Sequence, residues 1–375
     1  MTSPPPNSRF VVIGGGIFGS SAALHLARLG ARVTLVTDGA PASGASGRSL
    51  SWLNSARLRS AAYHQLRMAG LERYRALAAR HPDAAWLRFD GGLTWDADSD
   101  ANAIAEVFAH EQNIGYPARH LSADQVAAVT PGVDARAIPP QGAIFNPDEG
   151  WVDLPSLIDL LLGEFTALGG RLVRDAGEAS VVISGDRVTG VTTVGGQNFP
   201  ADAILLATGP AVPKIVAKVG WRIPDATPIG LLVRTKPADL RLRAVLNTPR
   251  VAVRPALGGT LVLDSGWSEK EVVVNRDGSY DAKASTVQGL LAEASKVLEG
   301  NPKLELASCG IGPKPVPEGG EPVFGQLDGV TGYYVAFSHS GATLGLIAGE
   351  LIAGEMLTGE AHPLFAPFRP DRFAQ

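Results

Sequence analysis

The residues best placed to do chemistry stand at the start of the chain. Gly14, Gly16 and Gly19 follow directly on an apolar run, Phe10-Val-Val-Ile13, with Ile17 and Phe18 between the second and third glycines. A helical pattern follows, with Ala22, Ala23, Leu26, Ala27 and Leu29 on one side and Gly30 as its stop, and then a second apolar strand, Val33 to Val36. This is Gly-x-Gly-x-x-Gly opening a βαβ unit. Gly14 permits the tight turn, Gly16 lets backbone approach a pyrophosphate, and Gly19 lets the helix pack close to the strand. The phosphates then sit on the helix N-terminus, where free N–H groups and the dipole favour negative charge. The implied ligand is a dinucleotide. With 44 glycines in the chain the spacing alone carries little, and the strand–turn–helix context carries the inference.

Elsewhere no Ser/His/Asp constellation is visible, and the seven histidines are scattered without metal-ligand spacing, so no metal is expected. Two cations are candidates to hold an anionic substrate. Arg254 lies on a predicted inward strand, and Lys314 sits in Gly312-Pro-Lys-Pro-Val-Pro317. Trp52 is a candidate wall of the site. Tyr63 and His64 fall on a predicted helix and are expected to pack. His339 is read as a hydrogen-bonding structural residue rather than a base.

The elements that must position these residues can be read from the pattern. Ala56 to Ala79 reads as helix, Leu93 to Trp95 as a strand, Ala101 to Glu111 as a polar helix with an apolar stripe, and Pro131 to Gln141 as a loop. Asp153-Leu-Pro155 starts a helix with aspartate at the N-cap and proline in the first turn, ending at Gly169-Gly170. Val181 to Ile183 and Val188 to Thr193 flank Ser-Gly-Asp-Arg as a hairpin. Ala203 to Ala207 is a buried strand ending at Thr208-Gly209. Leu231 to Arg234, Arg250 to Arg254 and Thr260 to Leu263 are β-like, Thr286 to Leu298 is helical, and Gly332 to Phe337 is a strand before the last long helix. Ala342 to Leu357, interrupted by Glu350 and Glu355, reads as amphipathic.

Composition narrows the class. The 375 residues suffice for one large or two modest domains, and 45% hydrophobic with 19% charged residues describes a globular chain. The net charge of −4 without a basic run excludes nucleic acid and anionic membrane surfaces as expected partners. No run of about 18 apolar residues reads as a membrane span. Cys309 is the only cysteine, which fits a reducing, cytoplasmic setting. The start, Met-Thr-Ser-Pro-Pro-Pro-Asn-Ser, lacks an apolar core and is expected to be a short lead-in rather than a signal peptide.

Several motifs accumulate in one order: Gly14 to Gly19; Ala42-Ser-Gly-Ala-Ser-Gly-Arg-Ser49; Asp148-Glu-Gly-Trp-Val-Asp153 before a helix; Ile204-Leu-Leu-Ala-Thr-Gly209; Gly312 to Pro317 with Pro322-Val-Phe-Gly325; and Gly332 to Gly345. With these the chain resembles the FAD-dependent amine oxidases of the D-amino acid oxidase superfamily, in the glycine oxidase and sarcosine oxidase branch. The resemblance implies an α/β fold, a Rossmann-like FAD-binding domain with an inserted α+β substrate domain. It places residues 1–90, 145–225 and 305–375 in the first and 91–144 and 226–304 in the second. It implies FAD contacts from Gly14, Gly16, Ile17, Phe18 and Gly19; from Ala45, Ser46, Gly47, Arg48 and Ser49; from Ala207, Thr208 and Gly209; and from Gly312, His339, Ser340, Gly341, Ala342 and Thr343. The N–H groups at Gly341 would face the flavin pyrimidine carbonyl.

The chain also departs from the family pattern. The acidic residue that ends the second strand, for the adenosine ribose, is Thr37 here, with Asp38 one place late. The carboxylate-binding arginine of the Gly-x-Arg-Pro motif is Lys314, which keeps a charge but loses the bidentate fork. The sarcosine-type lysine aligns with Thr343, and the flavin-linking cysteine falls near Gly312 rather than Cys309, so FAD is expected to be non-covalent.

The implied reaction is oxidation of an amino acid or N-substituted glycine at its C–N bond. A deprotonated amine loses hydride to flavin N5, and the imine hydrolyses to an oxo acid such as glyoxylate plus an amine. O2 or another electron acceptor completes the cycle. A D-amino acid or imino acid dehydrogenase is the alternative. A flavin monooxygenase would show a Gly-Asp segment in the C-terminal third, whereas Gly185-Asp186 lies in the hairpin. An NAD-dependent dehydrogenase would leave Ser338-His-Ser-Gly-Ala-Thr343 unexplained, and a flavin-holding subunit would bind FAD without oxidising amines.

Overall fold

The opening strand forms where four successive apolar residues, Phe10 to Ile13, are all buried. A computed structural model describes residues 8–374. Arg9–Ile13 pairs in parallel with Arg32–Val36 on one side and with Ala203–Leu206 on the other. The full sheet has six strands, in the order Val323–Gln326, Tyr333–Phe337, Ala203–Leu206, Arg9–Ile13, Arg32–Val36 and Arg171–Val173. Only the Val323–Gln326 edge is antiparallel. Burial on both faces explains why these strands read as continuous apolar runs rather than alternations.

The predicted helix after the glycine turn is Ile17–Arg28. It lies against the last helix, Gly341–Thr358, and small residues set the approach. A side chain at Gly349 would lie 2.2 Å from Ser21 Oγ, and one at Gly345 2.3 Å from Ile17 Cγ1. The last helix is not amphipathic as expected. Thirteen of its residues are buried, because it is enclosed between Ile17–Arg28 and the helix Ala61–Arg80. Its two acids are paired: the buried Glu355 with Arg369, and the half-exposed Glu350 with Arg73 through a two-pronged contact at 2.8 and 2.9 Å.

A second sheet has eight strands: Leu306–Pro313, Ile229–Thr235, Leu261–Asp264, Ala252–Pro255, Val245–Asn247, Gly92–Thr94, Ala143–Asn146 and Arg119–Leu121. Leu306–Pro313, expected with the nucleotide-binding segments, runs antiparallel to Ile229–Thr235 here. Helix Ala284–Val297 covers this sheet with Val287, Leu290, Leu291 and Ala294. Helix Leu154–Ala167 starts where expected, with Asp153 Oδ2 accepting from Ser156 N at 3.2 Å. The hairpin is Ala179–Ser184 with Arg187–Thr193, extended by Asn198–Pro200 into three strands. Helix Ala61–Arg80 begins five residues later than its pattern, capped by the Ser60 hydroxyl. Residues 54–60 remain irregular, and this places Arg59 at the edge of the site.

Candidate active site

A cavity of about 810 Å³ runs past the carboxyl ends of the parallel strands, the place where open α/β sheets bind ligands. Its lining begins with Gly14, Gly15, Gly16, Ile17 and Phe18, passes Thr37 and Asp38, follows the segment 42–46 and residues 48–52, and takes in Ala207, Thr208 and Gly209. Its other end is bounded by Gly312 to Pro315 and by residues 338–343.

Each wall has a local cause. At Gly14, φ is +115°, and a Cβ there would stand 2.4 Å from the Ala207 carbonyl oxygen. A Cβ on Gly19 would stand 1.9 Å from Gly14 O, so Gly19 serves helix–strand packing and does not line the cavity. Two helix N-termini open on the cavity. Neither Gly16, capping Ile17–Arg28, nor Ser340, capping Gly341–Thr358, offers a side-chain cap, and neither first turn contains an acid. Ser46 Oγ accepts from Ile17 N at 3.2 Å, the one side chain among the described residues that hydrogen-bonds to the first of these ends.

These features fit a dinucleotide such as FAD. The glycine cradle admits only backbone, and a helix end met by no more than the Ser46 hydroxyl suits a pyrophosphate. Thr208 Oγ1 and Arg48 Nε, in residues that line the cavity, are buried without a hydrogen-bond partner, which is costly unless a ligand satisfies them. At the end of the second strand Thr37 is buried and Asp38 exposed, and both line the cavity. Asp38 Oδ1 accepts from Gly39 N at 2.9 Å.

Most of the sequence-derived candidates converge on this cavity, with instructive exceptions. Arg254 does not reach it. It is 1% exposed, donates from Nη1 to Pro255 O at 3.1 Å, and stacks its guanidinium 5.0 Å from the Trp151 ring centroid. Gly47 packs on the Ala42 carbonyl, where a Cβ would come to 2.3 Å, and does not line the cavity either. Lys314 is on the wall, but its Nζ is held by Glu269 and lies 3.7 Å from Asp264. Trp52 lines the cavity and donates from Nε1 to Glu149 Oε2 at 2.7 Å. Thr343 Oγ1 turns to the segment Trp52–Asn54, donating to Trp52 O at 3.3 Å and accepting from Asn54 N at 3.3 Å. Gly312 lies under the guanidinium of Arg48.

His339 was expected to be a hydrogen-bonding structural residue. Its ring makes no hydrogen bond among the described residues and faces the cavity instead. The ring is exposed to the open cavity, yet the protein surrounding that cavity, followed by the charges of Lys314, Arg67 and Arg59, lowers its pKa to about 4, so the imidazole is neutral at pH 7. Tyr63 and His64 do pack: Tyr63 Oη donates to Ser340 Oγ at 2.7 Å, and His64 Nδ1 is 2.9 Å from Ser55 Oγ.

Three residues of the site were not singled out in the sequence. Arg67 donates to Asn54 O at 2.8 Å, Asn54 Oδ1 at 2.9 Å, Tyr63 Oη at 3.2 Å and Ser340 Oγ at 2.5 Å. Its spacing of four from Tyr63 on one helix was the available signal. Arg59 stands in an irregular segment with no pattern to reveal it. Asp264 ends a strand that reads as ordinary core. Behind the cavity, Glu149 is fully enclosed between Trp52 and Tyr116, whose Oη donates at 2.6 Å. Burial pushes its pKa up to about 8, with the nearby Glu111 charge adding to the rise. Among the described residues no group of three or more His, Cys, Asp or Glu is arranged to hold a metal, and no helix is long and apolar enough to cross a membrane.

Comparison with known proteins agrees with this geometry. The chain is 28% identical over 353 residues to a glycine oxidase of Pseudomonas aeruginosa, covering 89% of this chain and 90% of the relative. The fold is similar to the crystal structure of glycine oxidase from Geobacillus kaustophilus, with TM-score 0.80, 21% identity and coverage of 98% and 100%. It is also similar to L-proline dehydrogenase from P. horikoshii, with TM-score 0.82, 19% identity and 98% coverage of both chains. The family model for DAO, the FAD dependent oxidoreductases, matches residues 9–355. The glycine cradle, the paired open helix ends and this match together assign the protein to the DAO family of FAD-dependent oxidoreductases, to which the chain belongs.

Proposed function

We propose that the enzyme oxidises the C–N bond of an amino acid or N-substituted glycine, giving an imine that hydrolyses to an oxo acid and an amine. The observation that carries this is the far end of the cavity. There an uncapped helix N-terminus at Gly341, a neutral His339 and a group of cations surround one volume continuous with the dinucleotide cradle. FAD, when bound, supplies the hydride acceptor and passes the electrons on to O2 or another acceptor.

The chain's own residues bind and orient. Gly14 to Phe18 and the first helix end would hold the pyrophosphate, Asp38 or Thr37 the ribose, and Ala45, Ser46, Arg48, Ser49 and Ala207 to Gly209 the remaining length. The N–H groups at Gly341 and Ala342 would face the flavin ring and favour negative charge there. Trp52, fixed by Glu149, would wall the substrate. No acid–base pair is demanded, because an amine that enters deprotonated needs only orientation. Cys309 lies on the strand Leu306–Pro313 and does not line the cavity, which supports a non-covalent cofactor.

The test is anaerobic bleaching of the flavin spectrum by glycine, sarcosine, D-amino acids, cyclic imino acids and longer N-carboxymethyl amines. Bleaching by one class is expected, and re-oxidation in air then separates oxidase from dehydrogenase. Bleaching by NAD(P)H alone would overturn the proposal.

A further inference from the structure

We propose that Arg59 is the cation that holds the substrate's carboxylate in this chain, a role that rests on the amine-oxidation reading and that Lys314 does not fill. Six cations line the cavity: Arg48, Arg59, Arg67, Lys214, Lys218 and Lys314. Lys214 and Lys218 sit beyond Gly209, on the cradle side, and Lys218 pairs with Glu178 at 3.1 Å. Arg67 is 2% exposed and commits four of its five N–H donors to Asn54, Tyr63 and Ser340, which leaves no pair of donors for a carboxylate. Arg48 donates to Ser43 O at 2.6 Å and lies flat on Gly310 and Gly312, as a clasp between loop and strand.

Lys314 faces two carboxylates. With Asp264 and Glu269 both ionised the group carries a net charge of −1, and with one protonated it is neutral. In neither state does it attract a substrate carboxylate, so the loss of the family's arginine at this position is matched by the loss of its free charge.

Arg59 is different. Its Nε donates to the Ala56 carbonyl at 3.1 Å, while its two terminal amino groups make no hydrogen bond among the described residues and no carboxylate pairs with it. The charges that bear on it are those of Arg67 and Arg57, which repel it, and of Glu149, while its guanidinium lies 5.8 Å from the Tyr63 ring centroid. Arg57 is occupied by Asp96 at 2.6 Å. Glu149, protonated below about pH 8, leaves the two guanidiniums uncompensated at neutral pH. Arg59 therefore presents a free fork, the geometry that takes a carboxylate bidentately. Its place is right as well. Arg59 lines the same cavity as His339 and the N-terminus of the last helix at Gly341, and its charge, with those of Arg67 and Lys314, reaches the His339 imidazole.

The experiment uses the FAD-loaded protein and two non-oxidisable carboxylates, acetate and benzoate, titrated by perturbation of the flavin spectrum. Binding to the wild type is expected to weaken about 30-fold in Arg59→Gln and about 5-fold in Arg59→Lys, with flavin content retained in both. Lys314→Gln is expected to keep it within about threefold. Equal binding by wild type and Arg59→Gln, loss of binding in Lys314→Gln instead, or no carboxylate binding by the wild type would each overturn the assignment. Bleaching with an amino acid and with the matching amine that lacks the carboxyl group separates the two claims. Failure of every amine to bleach the wild type, with Arg59-dependent benzoate binding intact, would sink the reaction and leave the anchor. Bleaching that discriminates acid from amine equally well in wild type and Arg59→Gln would sink the anchor and leave the reaction.

Discussion

Replacing Glu149 by Gln should flatten the dependence of stability on pH above neutrality. Glu149 is enclosed without a cation in contact, holding hydrogen bonds from Trp52 Nε1 and Tyr116 Oη. Gly92 makes room for it, since a Cβ there would lie 2.0 Å from Glu149 Oε2. Its pKa rises from 4.5 to about 8 on folding. The sign follows from proton counts: between these values the native state keeps a proton that the unfolded state has released, so stability falls as pH rises. Below pH 6.5 the lowered histidines, His25 and His339, act in the opposite sense, because the unfolded chain binds their protons first. The informative window is therefore pH 6.5 to 8. There a single group with a native pKa near 8 loses about 1.5 kcal/mol of stability. Guanidinium unfolding followed by far-UV circular dichroism, at four pH values across the window and with FAD saturating, measures it. The wild type should lose about 1.5 kcal/mol more than Glu149→Gln between the two ends. Equal slopes for the two proteins would show that the carboxyl group is ionised or solvated in the native state, and the argument from burial would be wrong.

Other consequences can be checked with standard assays. Arg369→Ala strands the buried carboxylate of Glu355, which is only 3% exposed, and should cost about 3 kcal/mol in urea unfolding, with Glu355→Gln in the same chain restoring part of it. Gly19→Ala drives a methyl group to within 1.9 Å of Gly14 O and should abolish flavin retention on purification while lowering the melting temperature. Asp38→Ala should weaken FAD about tenfold by fluorescence titration and Thr37→Val less, if the exposed carboxylate holds the ribose. Gly349→Ala forces a contact with Ser21 Oγ and should cost about 1–3 kcal/mol in thermal unfolding without changing FAD affinity.

What could be read without coordinates was whatever depends on local backbone and on burial on both faces. The glycine turn, the parallel strands Arg9–Ile13, Arg32–Val36 and Ala203–Leu206, the Asp153-capped helix and the opening of the last helix at Gly341 are written in near-neighbour spacing, because turns, caps and runs of buried residues are short-range events. Family motifs in one order added the cofactor. The amphipathic reading of the last helix failed because Glu350 finds Arg73, 277 residues away, and Glu355 finds Arg369 beyond the helix end, and no periodicity within the helix records a partner outside it.

The same limit applies to the site. Arg254, strand-borne and apolar-flanked, pointed to a cavity in the sequence and stacks on Trp151 in the fold. Lys314 occupies the expected wall but meets two acids, one at the end of a strand and one on the short helix Gly266–Glu269. Arg59 had no pattern at all. The amino-acid sequence by itself determined that a dinucleotide is held at the ends of parallel strands, since the turn that holds it is made by residues in direct succession. Only the tertiary structure decided which charges face that ligand's far end uncompensated, because the charge of a cavity is the sum over side chains that meet in space from separate segments, and a single buried partner cancels it.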